Sequence, residues 1–398
     1  MKKTLKQWLA LVAAGVITLS MASCADIKGT LTGLFGGGSG SENSVEEENK
    51  PIILKNVTTA KNVILMIGDG MGPQQIMAGE VFKGEKLAMQ GFPYKTTVET
   101  RSASDNITDS AAAGTALATG VRTKNGMVGM SSDSVDLTTI VDIAHSLGKR
   151  TGVIATEELN GATPMAFSGH ATSRNNASNL IRSAATTSNV NFFASYTIKP
   201  FYREEFANAD YETVTEVDMI SESTSDKVFG SYWIKASAPS MSADVAEVAF
   251  DRVVVEALEY LSKDEDGFFL MAEGSHIDHG GHNNDIKYML EELLAFDDAV
   301  QAVLEWAKDR DDTVVIVTAD HETGGLLLDS TATQEQLQEA YATGVKNCYA
   351  WTTGGHTATD VNCYINGANI DFSEYSFGTN GRIKNTDVFE IMKKLMGA

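Results

Sequence analysis

Four stretches of the chain are almost entirely apolar and have the length of a β-strand. They cover residues 62–67, 151–155, 268–272 and 313–318. A short, uninterrupted apolar run is typical of a strand buried on both faces, whereas a strand with one solvated face alternates apolar and polar residues. The four runs therefore predict strands of a sheet that is covered on both sides.

Segments whose apolar residues recur at helical spacing lie between and after these runs. Residues 137–147 (after the cap candidate Asp136), 243–262 and 286–308 repeat apolar positions every three or four residues, and a helix over about 386–396 closes the chain. Strands that alternate with helices predict an α/β fold, with a mostly parallel central sheet and helices on both faces. Residues 195–240 show no clear period, and we interpret them as an insertion or a lid.

The N-terminal residues do not follow this pattern. Three lysines among the first six residues precede an apolar run from Trp8 to Leu19, which is typical of a signal segment and short for a membrane span. Met21-Ala22-Ser23-Cys24 is similar to a bacterial lipobox, with Met21 where that motif usually has Leu. We expect a signal segment at 1–24 that ends in lipid attachment at Cys24, with simple cleavage as the alternative.

Residues 25–50 are expected to be a flexible tether, since they are rich in Gly and Ser and then acidic. The folded domain is expected over 51–398. These features predict export to the periplasm or cell envelope, with the lipid anchor as the membrane contact. The net charge of −22 argues against nucleic-acid binding, because such a chain repels the phosphate backbone.

Each apolar run is followed at once by side chains that can bind a metal. In chain order these are Asp69; Glu157, Glu158 and Thr163; Glu273, Asp278 and His282; and Asp320 and His321. Ligands of open α/β sheets bind at the carboxyl ends of the strands. We therefore expect these side chains to form a single site at one edge of the sheet.

The residue types favour two kinds of metal. A mixed set of aspartates and histidines suits zinc with open positions for water or substrate; this set is Asp278, His282, Asp320, His321 and His356, the last in a Gly-flanked loop. An all-oxygen set suits magnesium; this set is Asp69, Thr163 and Glu273. Taken alone, Asp69 in Gly-Asp-Gly would be no more than a turn residue.

A serine stands at the front of a run of small residues. Asp109 and Ser110 precede Ala111 to Gly120, which can pack closely as a helix. The Ser110 hydroxyl would lie beside free backbone N–H groups at the positive end of the helix dipole, where phosphate binds. For a serine alone, an N-cap role is the commoner explanation. The metal ligands elsewhere in the chain favour the phosphate site.

Five segments together resemble the motif set of alkaline phosphatases, in that family's order and within residues 62–360. They are Ile67–Gly72, Thr108–Ala112, Glu273–Asp278, Thr318–Glu322 and Gly355–Thr357. The resemblance implies a metal-dependent hydrolase of broad range. It would release inorganic phosphate from phosphomonoesters through a phosphoserine intermediate.

The resemblance also implies a role for each residue. Ser110 would be the nucleophile, Arg174 the phosphate clamp and His279 a further substrate contact. Two zinc ions and one magnesium ion are implied. Their ligands would be Asp278, His282 and His356 for the first zinc, Asp69, Asp320 and His321 beside Ser110 for the second, and Asp69, Thr163 and Glu273 for magnesium.

Two positions depart from the best-known bacterial enzymes of that family. Gly161 stands where they have Asp, which lowers the expected affinity of the magnesium site. His279 stands where they have Lys and resembles the residue of animal relatives. The nucleophile and the zinc ligands are unaffected by these departures.

Other functions stay open at this point. A phosphodiesterase of the same superfamily would differ mainly in the loops around the site. A surface-anchored binding or metal-storage protein would have lost catalysis. A sulfatase is disfavoured, because Ser110–Gly114 lacks a Cys/Ser-x-Pro-x-Arg sequence. The oligomeric state is open as well, with a homodimer among the choices.

Two of the three cysteines flank the loop that carries His356. Cys348 and Cys363 lie on the expected strands 346–352 and 361–366, equally far from the loop midpoint. If these strands pair as a hairpin, the two thiols come within disulfide reach. Two buried free thiols are the alternative.

Overall fold

The computed structural model describes residues 50–196, 200–235, 247–375 and 381–398. The expected signal segment at 1–24 and all but the end of the tether at 25–50 lie outside the described residues. Residues Pro51–Ala398 form one compact unit.

The strands in this unit are, in chain order, β1 (Asn62–Gly68), β2 (Tyr94–Glu99), β3 (Arg150–Glu158), β4 (Phe192–Tyr196), β5 (Glu212–Val214), β6 (Val228–Ser231), β7 (Trp233–Lys235), β8 (Glu247–Ala249), β9 (Phe268–Gly274), β10 (Thr313–Thr318), β11 (Glu322–Thr323), β12 (Leu326–Leu328), β13 (Tyr349–Trp351), β14 (His356–Thr357), β15 (Val361–Asn366) and β16 (Arg382–Lys384). The helices are α1 (Pro73–Lys83), α2 (Ser110–Thr119), α3 (Ile140–Ser146), α4 (Ala162–Ser168), α5 (Ala177–Thr186), α6 (Pro200–Asn208), α7 (Met219–Glu222), α8 (Phe250–Leu261), α9 (His276–His282), α10 (Ile286–Ala307), α11 (Gln334–Thr343) and α12 (Asn385–Leu395).

A ten-stranded sheet forms the centre of the unit, in the order β16-β2-β15-β10-β1-β9-β3-β4-β6-β5. The run of strands from β10 to β5 is parallel throughout, and β15 is antiparallel to both of its neighbours. Helices α8 and α10 and helices α3 and α4 all contact β9. The predicted α/β class, with a mostly parallel sheet flanked by helices, is confirmed.

The four apolar runs are strands β1, β3, β9 and β10. Every residue of β1, β9 and β10 is buried, as expected for parallel strands covered on both faces. Their apolar side chains belong to one continuous core. These strands form the rigid platform from which the site residues project.

Two expected helices begin later than the sequence pattern indicates. α3 begins at Ile140, because Thr139 and Asp142 form a reciprocal capping box, and the expected cap Asp136 instead forms a bridge with Met130. α8 begins at Phe250, since residues 247–249 form β8; residues 243–246 are not among the described ones. None of the helices in the described ranges combines the length and apolar character needed to cross a bilayer.

The segment 195–240 contains regular structure where we expected an insertion or a lid. β5 and β6 pair in parallel with each other, and β6 pairs with β4, so these strands extend the central sheet. The segment also holds α6, α7 and β7; residues 197–199 and 236–240 are outside the described ranges. Strands of three or four residues are too short to show a period in the sequence.

The two strands around His356 do not pair with each other as a hairpin. β13 pairs with β12, whereas β15 lies in the central sheet between β10 and β2, where Cys363 is opposite both Thr318 and Thr96. A strand as apolar as β15 loses more water contact inside the sheet than in an isolated hairpin. Cys348 and Cys363 are accordingly two buried free thiols.

Candidate active site and metal centre

The expected site residues meet at the carboxyl ends of four adjacent parallel strands. Asp69 directly follows β1, Glu273 is the next-to-last residue of β9, and Asp320 and His321 follow β10. Thr163 lies in α4, the first helix after β3. The sheet order therefore brings together residues that are distant in sequence. Gly70 and Asp320, for example, are 250 positions apart, and the Asp320 carboxylate accepts the Gly70 N–H.

The first cluster of ligand-type side chains consists of Asp278, His282 and His356. The two His Nε2 atoms are 3.2 Å apart. Asp278 Oδ2 lies 3.3 Å from His282 Nε2, and Asp278 Oδ1 lies 3.5 Å from His356 Nε2. The Nδ1 atoms point away from one another, at 2.7 Å from the carbonyl oxygen of Gly354 and 2.8 Å from that of Thr108.

These carbonyl contacts determine the tautomer of each ring. A carbonyl oxygen only accepts, so each Nδ1 carries a proton, and Nε2 is the nitrogen of each ring that is left to bind a cation. Two lone pairs and a carboxylate that face one another repel unless a cation lies between them. This donor set, one aspartate and two histidines whose Nδ1 atoms donate hydrogen bonds to backbone carbonyls, suits zinc.

The second cluster surrounds His321, which is fully buried. Its Nε2 lies 3.1 Å from Ser110 Oγ, 3.1 Å from Asp320 Oδ2 and 3.6 Å from Asp69 Oδ1. Burial lowers the pKa of His321 well below its ordinary value, so the ring is neutral. Its Nε2 is therefore available to the Ser110 hydroxyl or to a cation.

Thr323, which the motif analysis passed over, orients His321 and Asp278. Its hydroxyl donates to Asp278 Oδ1, and its oxygen lies 3.2 Å from His321 Nδ1. Because the single hydroxyl proton is given to Asp278, the oxygen accepts the His321 Nδ1–H, and the lone pair of the ring is placed at Nε2. The one feature of the sequence that could have indicated this role is that Thr323 lies two residues after His321.

Asp278 connects the two clusters. Ligand atoms of Asp69, Asp278 and His321 all lie within 4.8 Å of one another, as do those of Asp278, His282 and His356. We expected Asp320 in the second set. Its Oδ1 accepts the backbone N–H groups of Gly70 and His321, which leaves Oδ2 open toward the ring.

A third set offers only oxygen atoms. Asp69 Oδ1, Thr163 Oγ1 and both carboxylate oxygens of Glu273 are buried without a hydrogen-bond partner within the described chain. Burial raises the pKa of Asp69 well above its ordinary value, and the nearby carboxylates raise it further; the pKa of Glu273 is raised in the same way. Buried, unpaired oxygens are costly. Their chemistry fits a magnesium ion.

Ser110 is the first residue of α2, and Asp109 is its N-cap. The Asp109 side chain accepts the Ala112 N–H at 3.0 Å and the Gly126 N–H at 2.9 Å. The N-cap explanation of Ser110 is therefore wrong, and its hydroxyl is free to contact His321. Arg174 Nη1 lies 3.5 Å from the same Asp109 carboxylate, with 38% of its side chain exposed.

Arg174 and His279 line a cavity of about 550 Å³ at this edge of the sheet. Both were expected to contact substrate. His276 also reaches this cavity, but its ring lies beside that of His279 at 4.8 Å, and burial lowers its pKa to about 3. The clusters of ligand-type side chains found among the described residues do not include His276.

Glu322 is a second residue that sequence reasoning missed. Its buried carboxylate accepts hydrogen bonds from Gln75 Nε2 at 2.7 Å and from the Thr357 hydroxyl. It thereby joins α1, which follows Asp69, to β14, which carries His356. The sequence did not reveal this role of Glu322, because Gln75 and Thr357 are both distant from it along the chain.

The chain has the fold of alkaline phosphatases. Its structure superposes on that of the alkaline phosphatase from the Antarctic bacterium TAB5 with a TM-score of 0.73 and 28% identity, over 86% of this chain and 99% of that one. The alkaline phosphatase family model matches residues 60–204 and 202–342.

Two curated relatives give the same result. Alkaline phosphatase 4 of Bacillus subtilis is 34% identical over 290 residues, which are 67% of this chain and 62% of that protein. The alkaline phosphatase of Escherichia coli is 31% identical over 329 residues, which are 66% of this chain and 70% of that protein. This chain belongs to the alkaline phosphatase family. It spans 62% to 66% of the length of the first curated relatives that it matches.

Proposed function

We propose that this chain is a metal-dependent phosphomonoester hydrolase that acts through a phosphoserine on Ser110. The observation that carries the proposal is the contact of the Ser110 hydroxyl with His321 Nε2, 3.1 Å away. It lies beside Asp69 and Asp320, each of which has a buried carboxylate oxygen without a hydrogen-bond partner in the described part of the chain. A hydroxyl at the first residue of a helix, with an arginine near its cap, is well placed to meet a phosphate.

Two zinc ions and one magnesium ion would be held by the three sets of side chains. The sets are Asp278, His282 and His356; Asp69, Asp320 and His321; and Asp69, Thr163 and Glu273. When bound, such cations lower the pKa of a serine hydroxyl and neutralise charge on phosphoryl oxygens. A variant of the TAB5 alkaline phosphatase has been solved with Mg in a site named M3, which supports including magnesium here.

The residues of the chain then act in two displacements. Ser110 Oγ loses its proton and attacks phosphorus, the Oγ–P bond forms, and the bond between phosphorus and the alcohol oxygen breaks as that oxygen takes up a proton. Water then loses a proton and attacks phosphorus, the Oγ–P bond breaks, Ser110 Oγ takes up a proton, and inorganic phosphate leaves. Arg174 would hold the phosphoryl oxygens in both steps, since this reaction depends on positioning and charge neutralisation.

The substrate range tests this proposal. The groups near Ser110 engage phosphoryl oxygens, which every monoester shares, so a sugar phosphate, a nucleotide and an aryl phosphate should be hydrolysed with similar kcat/KM. A bis-aryl diester has one charge fewer and a second bulky group, and its kcat/KM should be lower by about 10²-fold or more. Phosphate release from each compound under identical conditions is the measurement. Faster hydrolysis of the diester would identify a phosphodiesterase on this scaffold instead.

We propose further that the chain is exported and anchored by lipid at Cys24. The support is the sequence of residues 1–24, where lysines, an apolar run and small residues precede the cysteine. Labelled palmitate fed to expressing cells should be incorporated into the wild-type protein and not into the Cys24→Ser variant. The Cys348→Ser variant, which removes a buried thiol, serves as the control and should keep the label. Unlabelled wild-type protein in the periplasmic fraction would instead indicate simple cleavage.

A further inference from the structure

Position 161, at the start of α4, has no side chain, and a neighbouring glutamate occupies the space. A Cβ built on Gly161 would lie 1.9 Å from Glu157 Oε1. The Gly161 backbone has φ −51° and ψ 149°, which every residue type can adopt. The backbone conformation therefore does not require glycine here. What glycine provides is room for the Glu157 carboxylate.

The negative charge of the Glu157 carboxylate is poorly compensated by its surroundings. Its side chain is 23% exposed, and its Oε2 lies 3.9 Å from His279 Nε2. Within the described chain its carboxylate makes no hydrogen bond. Burial raises the pKa of Glu157 to about 7, although Arg174 acts in the opposite direction. A carboxylate that is mostly buried without a hydrogen bond is costly unless a cation compensates it.

The all-oxygen set has uncompensated oxygens of its own. Thr163 lies two residues after Gly161, and its Oγ1 is buried without a partner, as are both oxygens of Glu273. Glu157 is the foremost of the charges that raise the pKa of Glu273, and it also acts on Asp69. Magnesium takes six oxygen ligands and retains water among them. Asp69, Thr163 and Glu273 alone leave part of that shell to other groups.

We propose that Glu157 completes the cation site of Asp69, Thr163 and Glu273, by supplying from β3 the carboxylate that position 161 lacks. The inference rests on the magnesium ion of the proposed function and names one more residue of its site. It also explains why the glycine at 161 need not weaken magnesium binding in this chain.

Calorimetric titration of the zinc-loaded protein with Mg²⁺ tests the role of Glu157. Glu157→Gln keeps the shape of the side chain and removes its charge, and the Kd for magnesium should rise about 10- to 100-fold. The rise in Tm that magnesium produces should shrink in parallel. Glu335→Gln removes the same charge from the first turn of α11, outside the three sets, and should change the Kd less than threefold, by a rough allowance for screened charge.

A second experiment moves the carboxylate from position 157 to position 161 and measures magnesium affinity again. In Glu157→Ala/Gly161→Asp the acid projects from the neighbouring position into the vacated space, and magnesium affinity should return to within about threefold of wild type. Glu157→Ala/Gly161→Ser offers α4 a capping hydroxyl without the charge. It should remain as weak as Glu157→Ala.

Two outcomes would overturn the inference: a Glu157→Gln protein with wild-type magnesium affinity, or a Gly161→Asp double variant no better than its serine counterpart. Failure of the proposed function looks different. In that case the wild-type protein itself would bind no magnesium or would fail to hydrolyse a phosphomonoester.

Discussion

Ser110→Ala is expected to lower the turnover of an aryl phosphate by about 10³-fold or more, because the atom that forms the bond to phosphorus is lost. The zinc content should stay near that of wild type, since the three proposed sets keep their carboxylates, imidazoles and Thr163. Steady-state kinetics with elemental analysis of the same samples measures both quantities. Ser110→Cys should keep little activity, because a thiolate differs in size and leaving ability.

Thr119→Ala is the matched control for this experiment. Thr119 lies at the other end of α2, and its hydroxyl donates to the Thr115 carbonyl within the same helix. Its removal should leave turnover near the wild-type value. A Ser110→Ala protein with activity close to that of the control would refute the nucleophile, whereas loss of zinc in Ser110→Ala would mean that the serine acts through the metal site.

The second large effect is expected at Asp278, where one carboxylate faces both histidine clusters. His356→Ala removes one ligand of the first cluster only and should lower zinc toward one ion per chain. Asp278→Asn keeps the shape but removes charge from both clusters, so it should weaken both ions and lower zinc below the His356→Ala level. Elemental analysis after dialysis against a defined free zinc concentration gives the comparison.

Each half of this prediction can fail separately. Two zinc ions retained in His356→Ala would refute the assignment of His356 as a ligand. Equal zinc loss in the two variants would show that Asp278 serves one cluster rather than both. Asp285→Asn is the control on the same stretch of chain: Asp285 caps α10 through the Lys287 and Tyr288 N–H groups, and its change should leave zinc content unaltered.

The sequence predicted those parts of the molecule that follow from local pattern. Continuous apolar runs located β1, β3, β9 and β10, and the polar residues after them located the site, because parallel strands end at a common edge. Contacts between side chains that are distant in sequence could not be predicted in this way. The links of Thr323 to Asp278 and of Glu322 to Gln75 join residues 45 and 247 positions apart, and periodicity does not encode such pairs.

The errors have related causes. Asp109 and Thr139 cap helices because their side chains accept hydrogen bonds from free N–H groups of the first turn. Ser110 and Asp136 lie within three residues of them and also have side chains that can cap a helix, so the sequence alone did not identify the cap. The neighbours of β15 could not be predicted, since a strand's sequence indicates that it will be buried but not which strands will pair with its edges. β5 and β6 were too short to be recognised.

The hydrogen bond between His356 Nδ1 and the Thr108 carbonyl spans 248 residues. It joins the segment that ends in Ser110 to β14, which comes later in the chain than β1, β3, β9 and β10. A chain that is still being synthesised, or one truncated before β14, lacks both this bond and the third member of the first cluster. Long-range closures of this kind form late in folding. Phosphate-ester hydrolysis would therefore begin only when the chain has been synthesised and folded through β14, which would protect the phosphate esters around an unfinished chain.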